Sequence, residues 1–176
     1  YAQFEATGAR EAPRWLGALN AWLDRASAYG PDKLLEAEST TDMALRIAHV
    51  GRELIQAVET VDFYGHGAAH GLTTVSIHHF LLDQARPLRA EDVFSGSRWK
   101  QVLAQKVLEA LREELGEDLF VAEVKELVEL IEISRWDFEG PGLQLHFNPY
   151  EVAPYARGPV SIAIEVMDRV GLLKDI

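Results

Sequence analysis

Residues 43–63 read MALRIAHVGRELIQAVETVDF. Met43 to Val50 alternates apolar with polar or small residues, Gly51-Arg52 is turn chemistry, and Leu54 to Phe63 is a second run of the same kind. Two such runs joined by so short a link pair as an antiparallel hairpin. A sheet that begins with a hairpin is steered away from the doubly wound parallel architecture, which needs a helix between successive strands. Immediately downstream, Gly65-His66-Gly67-Ala68-Ala69-His70-Gly71 forms a small-residue loop, and Leu72 to Leu82 is a third β-rich run. Upstream, Trp15, Leu16, Leu19, Trp22, Leu23 and Ala26 fall on one stripe of a helix entered at Pro13 and ended by Gly30-Pro31. Tyr1 to Phe4 can form only a strand stub.

Further along, Ala90-Glu91-Asp92-Val93-Phe94 reads as one helical turn, and Ser97 is placed to cap a long helix over Arg98 to Leu115. Trp99, Val102, Leu103, Val107, Ala110 and Leu111 make its expected buried face, with Gly116 as the terminating glycine. Leu119 to Leu130 alternates apolar residues with glutamates at mostly helical spacing and reads as a helix. Ile131 to Phe138 and Leu143 to Phe147 read as strands around the turn Glu139-Gly140-Pro141-Gly142, Val160 to Ile164 as a last strand, and Met167 to Leu173 as a short helix. The expected fold is therefore α+β, with mainly antiparallel sheet packed against a few helices in two small intertwined subdomains. These are an N-terminal helix plus hairpin over residues 1–70 and a C-terminal subdomain over residues 71–176. The chain is weakest in continuity at residues 83–97.

The chain has 176 residues, 48% hydrophobic and 26% charged, enough for a folded core. Its 17 basic against 28 acidic residues leave a net charge of −11, which repels phosphate backbones and anionic head groups and removes nucleic acid as an expected partner. It contains no cysteine, so thiol nucleophiles, disulfides and cysteine-held zinc or iron–sulfur centres are excluded. The apolar runs are far too short for a membrane helix. The sequence begins at Tyr1 instead of Met, which is expected of an excised or processed piece. Membrane contact is expected only through an anchor outside it.

Catalytic and metal constellations are sparse. His66 and His70 share the glycine-rich loop, but its glycines disfavour the helix that would bring them to one ion. His78 and His79 are adjacent on a strand and point to opposite faces. No metal site and no cofactor is expected, and His70 reads better as a hydrogen-bonding group that fixes its loop. Ser95-Gly96-Ser97 lacks the Gly-x-Ser-x-Gly elbow, and no phosphate-binding loop occurs. Acidic residues are so numerous that no pair is diagnostic; Glu109, Glu113, Glu114, Glu117, Glu126 and Glu129 fit solvated helix faces.

The most unusual stretch is Phe147-Asn148-Pro149-Tyr150-Glu151-Val152-Ala153-Pro154-Tyr155-Ala156-Arg157-Gly158-Pro159, with three prolines and two tyrosines. Asn148 is suited to start a turn over Pro149. Proline lowers the entropy lost when a loop is ordered, and tyrosine offers a large apolar face with a polar tip, so this loop is suited to contact another molecule. The competing reading is that Tyr150 and Tyr155 anchor the loop to its own core.

The run Phe147-x-x-Tyr150-Glu151-Val152-Ala153-Pro154-Tyr155-Ala156-x-Gly158, followed by an apolar strand, resembles the signature of a domain of unknown function. That domain forms the extracytoplasmic part of RsiV-like anti-sigma factors and the non-catalytic part of PdaC-like peptidoglycan deacetylases. Gly67-Ala68-Ala69-His70-Gly71 resembles the same family's Gly-Gly-Ala-His-Gly loop, with Ala68 in place of its second glycine. Phe80 to Leu82 and Leu88…Asp92-Val93-Phe94 extend the likeness. Tyr1 to Leu23, with Asn20 in its helix, resembles the partner domain that precedes this one.

The resemblance implies an exported or envelope-tethered domain that recognises a ligand, which in the best understood members is lysozyme. The expectation is thus a non-enzymatic extracytoplasmic recognition module in the periplasm or at the cell surface. Its partner would be a basic envelope-active protein such as lysozyme, or a peptidoglycan fragment. The expected ligand-binding residues are Asn148, Pro149, Tyr150, Glu151 and Tyr155, with His66 and His70. The alternative is an envelope hydrolase using a histidine-held metal or His70 as general base.

Overall fold

The computed structural model describes residues 14–27, 39–94, 96–138 and 142–164. The chain divides into two compact units, Tyr1–Leu88 and Arg89–Ile176, and the division falls inside the weakly continuous segment 83–97. The architecture is α+β with antiparallel sheets, as the hairpin-rich sequence implies.

In the first unit, helix α1 (Arg14–Ser27) precedes strands β1 (Thr40–Val50), β2 (Leu54–Tyr64), β3 (Leu72–Leu81) and the two-residue β4 (Arg86–Pro87). The sheet order is β1-β2-β3-β4, every pair antiparallel. The hairpin β1–β2 turns where Gly51-Arg52 predicts, and the Gly51 N–H closes it on the Leu54 carbonyl at 2.8 Å. A bulge between Ile47 and His49 shifts the register by one residue near the turn. β2 and β3 pair from Leu54↔Leu81 to Phe63↔Leu72, so the sheet runs continuously across position 70/71.

The apolar stripe of α1 does what its spacing implies: Leu19, Trp22 and Leu23 pack with Ile55, Ala57 and Phe80 in one core cluster. The Trp22 ring lies 5.5 Å from that of Phe80 and meets His78 edge-on at 5.8 Å. Ile55 and Phe80 are register partners, as are Ala57 and His78, so these four side chains share the sheet face that Trp22 covers.

In the second unit, α2 (Ala90–Val93) is a single turn, held where the Arg89 N–H donates to Asp92 Oδ2 at 2.8 Å. The long α3 (Trp99–Leu115) is followed by a 3-10 turn over Gly116–Asp118 and by α4 (Val124–Leu130). Strands β5 (Trp136–Asp137), β6 (Leu143–Phe147) and β7 (Val160–Ile164) form an antiparallel sheet in that order. Leu143, Leu145 and Phe147 on β6, and Val160, Ile162 and Ile164 on β7, are buried, while the residues between them face outward. Trp136 is fully buried, edge-on to Phe94, Trp99 and Phe138, with Phe94 and Trp99 stacked at 4.6 Å.

Several expectations are corrected. Ser97 does not cap α3: Arg98 holds the N-cap position, and no side chain makes a capping hydrogen bond there. The buried face of α3 is Leu103, Ala104, Val107, Leu108, Leu111 and Leu115, whereas Trp99, Val102 and Ala110 are half-buried. Helix over Leu119–Leu130 is confined to α4, because the Glu126 carboxylate accepts the Ala122 N–H at 2.9 Å and caps the chain there. The Phe120 N–H is drawn instead to the Val152 carbonyl. The strand expected over Ile131–Phe138 shrinks to Trp136–Asp137, since Ile133–Arg135 coils into a 3-10 turn closed by the Arg135 N–H on the Glu132 carbonyl. Gly116 does terminate α3, at φ 54°, and its N–H donates to the Arg112 carbonyl. The six helix-face glutamates are all exposed. The Tyr1–Phe4 stub, residues 139–141, the Met167–Leu173 helix and the side chains of Trp15 and Ala26 lie outside the described residues.

The correction at Ser97 is measurable. A working Ser cap contributes about 1 kcal/mol, whereas Ser97→Ala is expected to shift the stability found by urea denaturation by less than about 0.5 kcal/mol.

Candidate functional site

The segment after β6 is a tight turn built from Asn148-Pro149-Tyr150-Glu151, closed by the Glu151 N–H on the Asn148 carbonyl at 3.1 Å. Pro149 supplies the preset φ of the second position. Tyr150, at the third, has φ +71°, the left-handed geometry that a type II turn demands and that glycine or asparagine ordinarily fills. For a residue with a Cβ this backbone costs about 1–2 kcal/mol. The ring so placed is 53% exposed. It lies 5.5 Å from the Tyr155 ring, tilted by 31°, and Tyr155 itself is half-buried.

What holds this geometry is the Glu151 carboxylate. One oxygen, Oε2, accepts the Asn148 N–H at 2.7 Å, and both oxygens receive the fork of the Arg135 guanidinium, Nη1 on Oε2 and Nη2 on Oε1, the latter at 2.7 Å. The two side chains retain only 16% and 23% of their exposure. The guanidinium carbon also lies 5.9 Å from the centre of the Phe147 ring, the last residue of β6. Arg135 is fixed in turn because Trp136, its neighbour, is fully buried.

Beyond the turn, Val152 and Ala153 are buried and tie the loop down, and the Val152 carbonyl accepts the Phe120 N–H at 2.9 Å. Phe120 is 55% exposed. Tyr155–Arg157 forms a 3-10 turn ended by Gly158 at φ 69°, ψ −162°, a conformation essentially reserved for glycine. Arg157 Nε donates to Asp118 Oδ2 at 2.7 Å on the surface.

The expected site residues thus separate. Asn148, Pro149, Tyr150, Glu151 and Tyr155 meet in one turn, with Tyr150 the ring most open to solvent. Glu151 is engaged internally by Arg135 and Asn148. His66 and His70 belong to the other unit, both exposed in the loop between β2 and β3. That loop is organised by Tyr64, whose hydroxyl donates to the Ala68 carbonyl at 3.0 Å, and by the Ala68 N–H on the Gly65 carbonyl at 2.9 Å. Nδ1 of His70 lies 3.0 Å from its neighbour's carbonyl, that of Gly71. Gly67 carries the positive φ of the loop, 77°, whereas Ala68 has none, so an alanine is tolerated there. A Cβ on Gly71 would stand 3.1 Å from the Phe63 carbonyl oxygen, which keeps that position small.

His78 Nε2 pairs with Glu59 Oε2 at 2.9 Å on the helix-covered face, while His79 is buried. Among the described residues no three His, Asp or Glu side chains cluster as metal ligands would.

Arg135 was not among the expected site residues. Its signal is a lone cation beside Trp136 among the apolar residues of Ile131–Phe138, which calls for a counter-charge once those residues are packed. A second group also appears only in three dimensions. His146 Nδ1 lies 2.7 Å from Ser161 Oγ and Nε2 lies 3.4 Å from Asp137 Oδ2, one residue from each strand of the β5-β6-β7 sheet. Ser161 is the register partner of His146 on the outward sheet face, so the row is a cross-strand polar ladder. The carboxylate sits at the long limit of a hydrogen bond, a weak grip for orienting a catalytic base.

Residues 91–166 match the family model described as protein of unknown function, DUF3298. The fold is similar to that of a DUF3298 family protein from Pseudomonas aeruginosa PAO1. The TM-score is 0.65 and the identity 18%, covering 89% of this chain and 79% of that one. It is also similar to a member of the same family from Bacteroides fragilis NCTC 9343, with a TM-score of 0.61 and 19% identity, covering 92% of this chain. The chain spans 64% of the length of the Bacteroides protein. No curated protein matches the chain.

The Arg135–Glu151 fork generates a stability prediction. Glu151→Gln keeps the shape but leaves the guanidinium without its counter-charge, and is expected to destabilise the protein by about 1–3 kcal/mol in chemical denaturation. A change below about 0.5 kcal/mol would mean that the fork does not hold the turn.

Proposed function

We propose that this chain is a non-enzymatic recognition module of the cell envelope, and that the Asn148–Tyr155 turn is its contact surface. The observation that carries the reading is Tyr150: a bulky side chain in left-handed backbone, more than half exposed, on a turn pinned from behind by a partly buried ion pair. A tyrosine serving only its own core gains nothing from that geometry. A tyrosine meant for another molecule gains a preset direction and loses little entropy on binding.

The likeness to the extracytoplasmic domain of RsiV-like anti-sigma factors and PdaC-like deacetylases supports an envelope location. It also supports a partner of the kind those proteins meet, a lysozyme or a peptidoglycan fragment. Lysozymes are commonly basic, and a domain at −11 attracts basic proteins.

Isothermal titration of the chain with a basic lysozyme and, separately, with purified muropeptides tests the reading. Saturable heat is expected with one of them, and Tyr150→Ala is expected to weaken that binding at least about tenfold, as removal of an aromatic hot spot does. Its thermal unfolding should stay close to that of the unaltered chain. Absence of heat with both ligands, or an affinity indifferent to Tyr150, would sink the proposal.

A further inference from the structure

β1 stands at one edge of the four-stranded sheet, paired with β2 on one side; among the described residues no strand pairs with its other side. Eleven residues long and free of proline, it presents an open row of backbone donors and acceptors. Its outward face carries Asp42, Ala44 and Arg46, all exposed, while Leu45 and Ile47 pack against the core cluster.

The charges on that face are poorly served within the sheet. Asp42 is the register partner of Asp62 on β2, and like charges directly opposite each other are destabilising. Arg46 stands opposite Val58, which offers it no counter-charge.

The geometry points to a second copy of this chain as the occupant of the β1 edge, the two β1 strands pairing antiparallel about a two-fold axis at Ala44. In that register Ala44 faces its own copy, and each Asp42 faces the Arg46 of the other chain, twice over because the axis repeats the contact. A cation is thereby supplied to Asp42 on the side away from Asp62. On the opposite face Met43 meets Leu45 and Thr41 meets Ile47, which extends the apolar side of the sheet across the axis. The pairing spans Thr41 to Ile47 and ends where the bulge before His49 bends the strand.

Charge reversal in the full chain tests this by sedimentation velocity across the micromolar range. The unaltered chain is expected to dimerise. Asp42→Arg places Arg opposite Arg, and Arg46→Asp places Asp opposite Asp. Each alone is expected to raise the dimer dissociation constant at least about tenfold. Combined in one chain the two substitutions restore opposite charges at both contacts, so the double variant is expected to dimerise again. The two single variants, mixed in equal amounts, are expected to form a heterodimer. Circular dichroism of each variant separates loss of pairing from loss of fold. A monomeric unaltered chain overturns the inference. So does a folded double variant that stays monomeric, or single variants that dimerise as tightly as the unaltered chain.

Discussion

The fork between Arg135 and Glu151 is the constraint on which the candidate site depends. Trp136, buried among Phe94, Trp99 and Phe138, fixes the backbone next to Arg135. Arg135 closes the Ile133–Arg135 turn, and its guanidinium lies over the Phe147 ring. There it meets a carboxylate whose Oε2 also accepts the Asn148 N–H. Aromatic packing, a broken strand, an ion pair and a turn are thus successive links of one chain of cause, and Tyr150 is its last member.

Magnitudes show why the strained turn persists. Left-handed backbone at Tyr150 costs about 1–2 kcal/mol, and each hydrogen bond to a charged group contributes about 1.5–3 kcal/mol. Glu151 accepts three such bonds, two from Arg135 and one from Asn148. Desolvation of the two ions offsets part of that gain, but removing either partner would leave the other partly buried without its counter-charge, so the fork and the strained turn stand together. By contrast the Arg157–Asp118 pair at the same loop lies on the surface and contributes about 0–1 kcal/mol. The loop is therefore held from its root near β6, with the exposed pair adding little, and the backbone at Tyr150 stays in its left-handed conformation.

Local signals made the sheet readable from the sequence. Period-two alternation in residues 43–63 with Gly51-Arg52 between the runs needs no distant partner, and β1 and β2 stand close to where it places them, as β3 does to the β-rich run Leu72–Leu82. The tyrosine–proline loop was readable for the same reason, since composition alone makes it stiff and aromatic. Nonlocal contacts were not readable. Glu151 carries no mark in the sequence that its partner lies sixteen residues earlier, and Asp137, His146 and Ser161 come together only once β5, β6 and β7 are laid side by side. A serine just before an apolar helix favours a cap at Ser97, while the backbone leads Arg98 into that position. Ile131–Phe138 has apolar residues at strand-like spacing, but only Ile131 and Trp136, five residues apart, are buried, because the 3-10 turn at Ile133–Arg135 breaks the alternation.

The strong negative charge and the β1 edge act over different ranges. A net −11 on each copy raises the long-range cost of bringing two chains together, but in physiological salt that repulsion is screened beyond about 8 Å. Contacts inside a strand pair are closer than this, so Asp42 and Arg46 respond to their immediate neighbours and hardly to the total. An acidic chain can therefore be slow to meet its own copy and still be specific once met. The Asp42–Asp62 opposition adds directionality: it penalises an edge partner that presents an acid at that position and favours one that presents a base. Edge strands are often blunted by charge, and here one acid and one base spaced four residues apart on the same face convert that protection into a register.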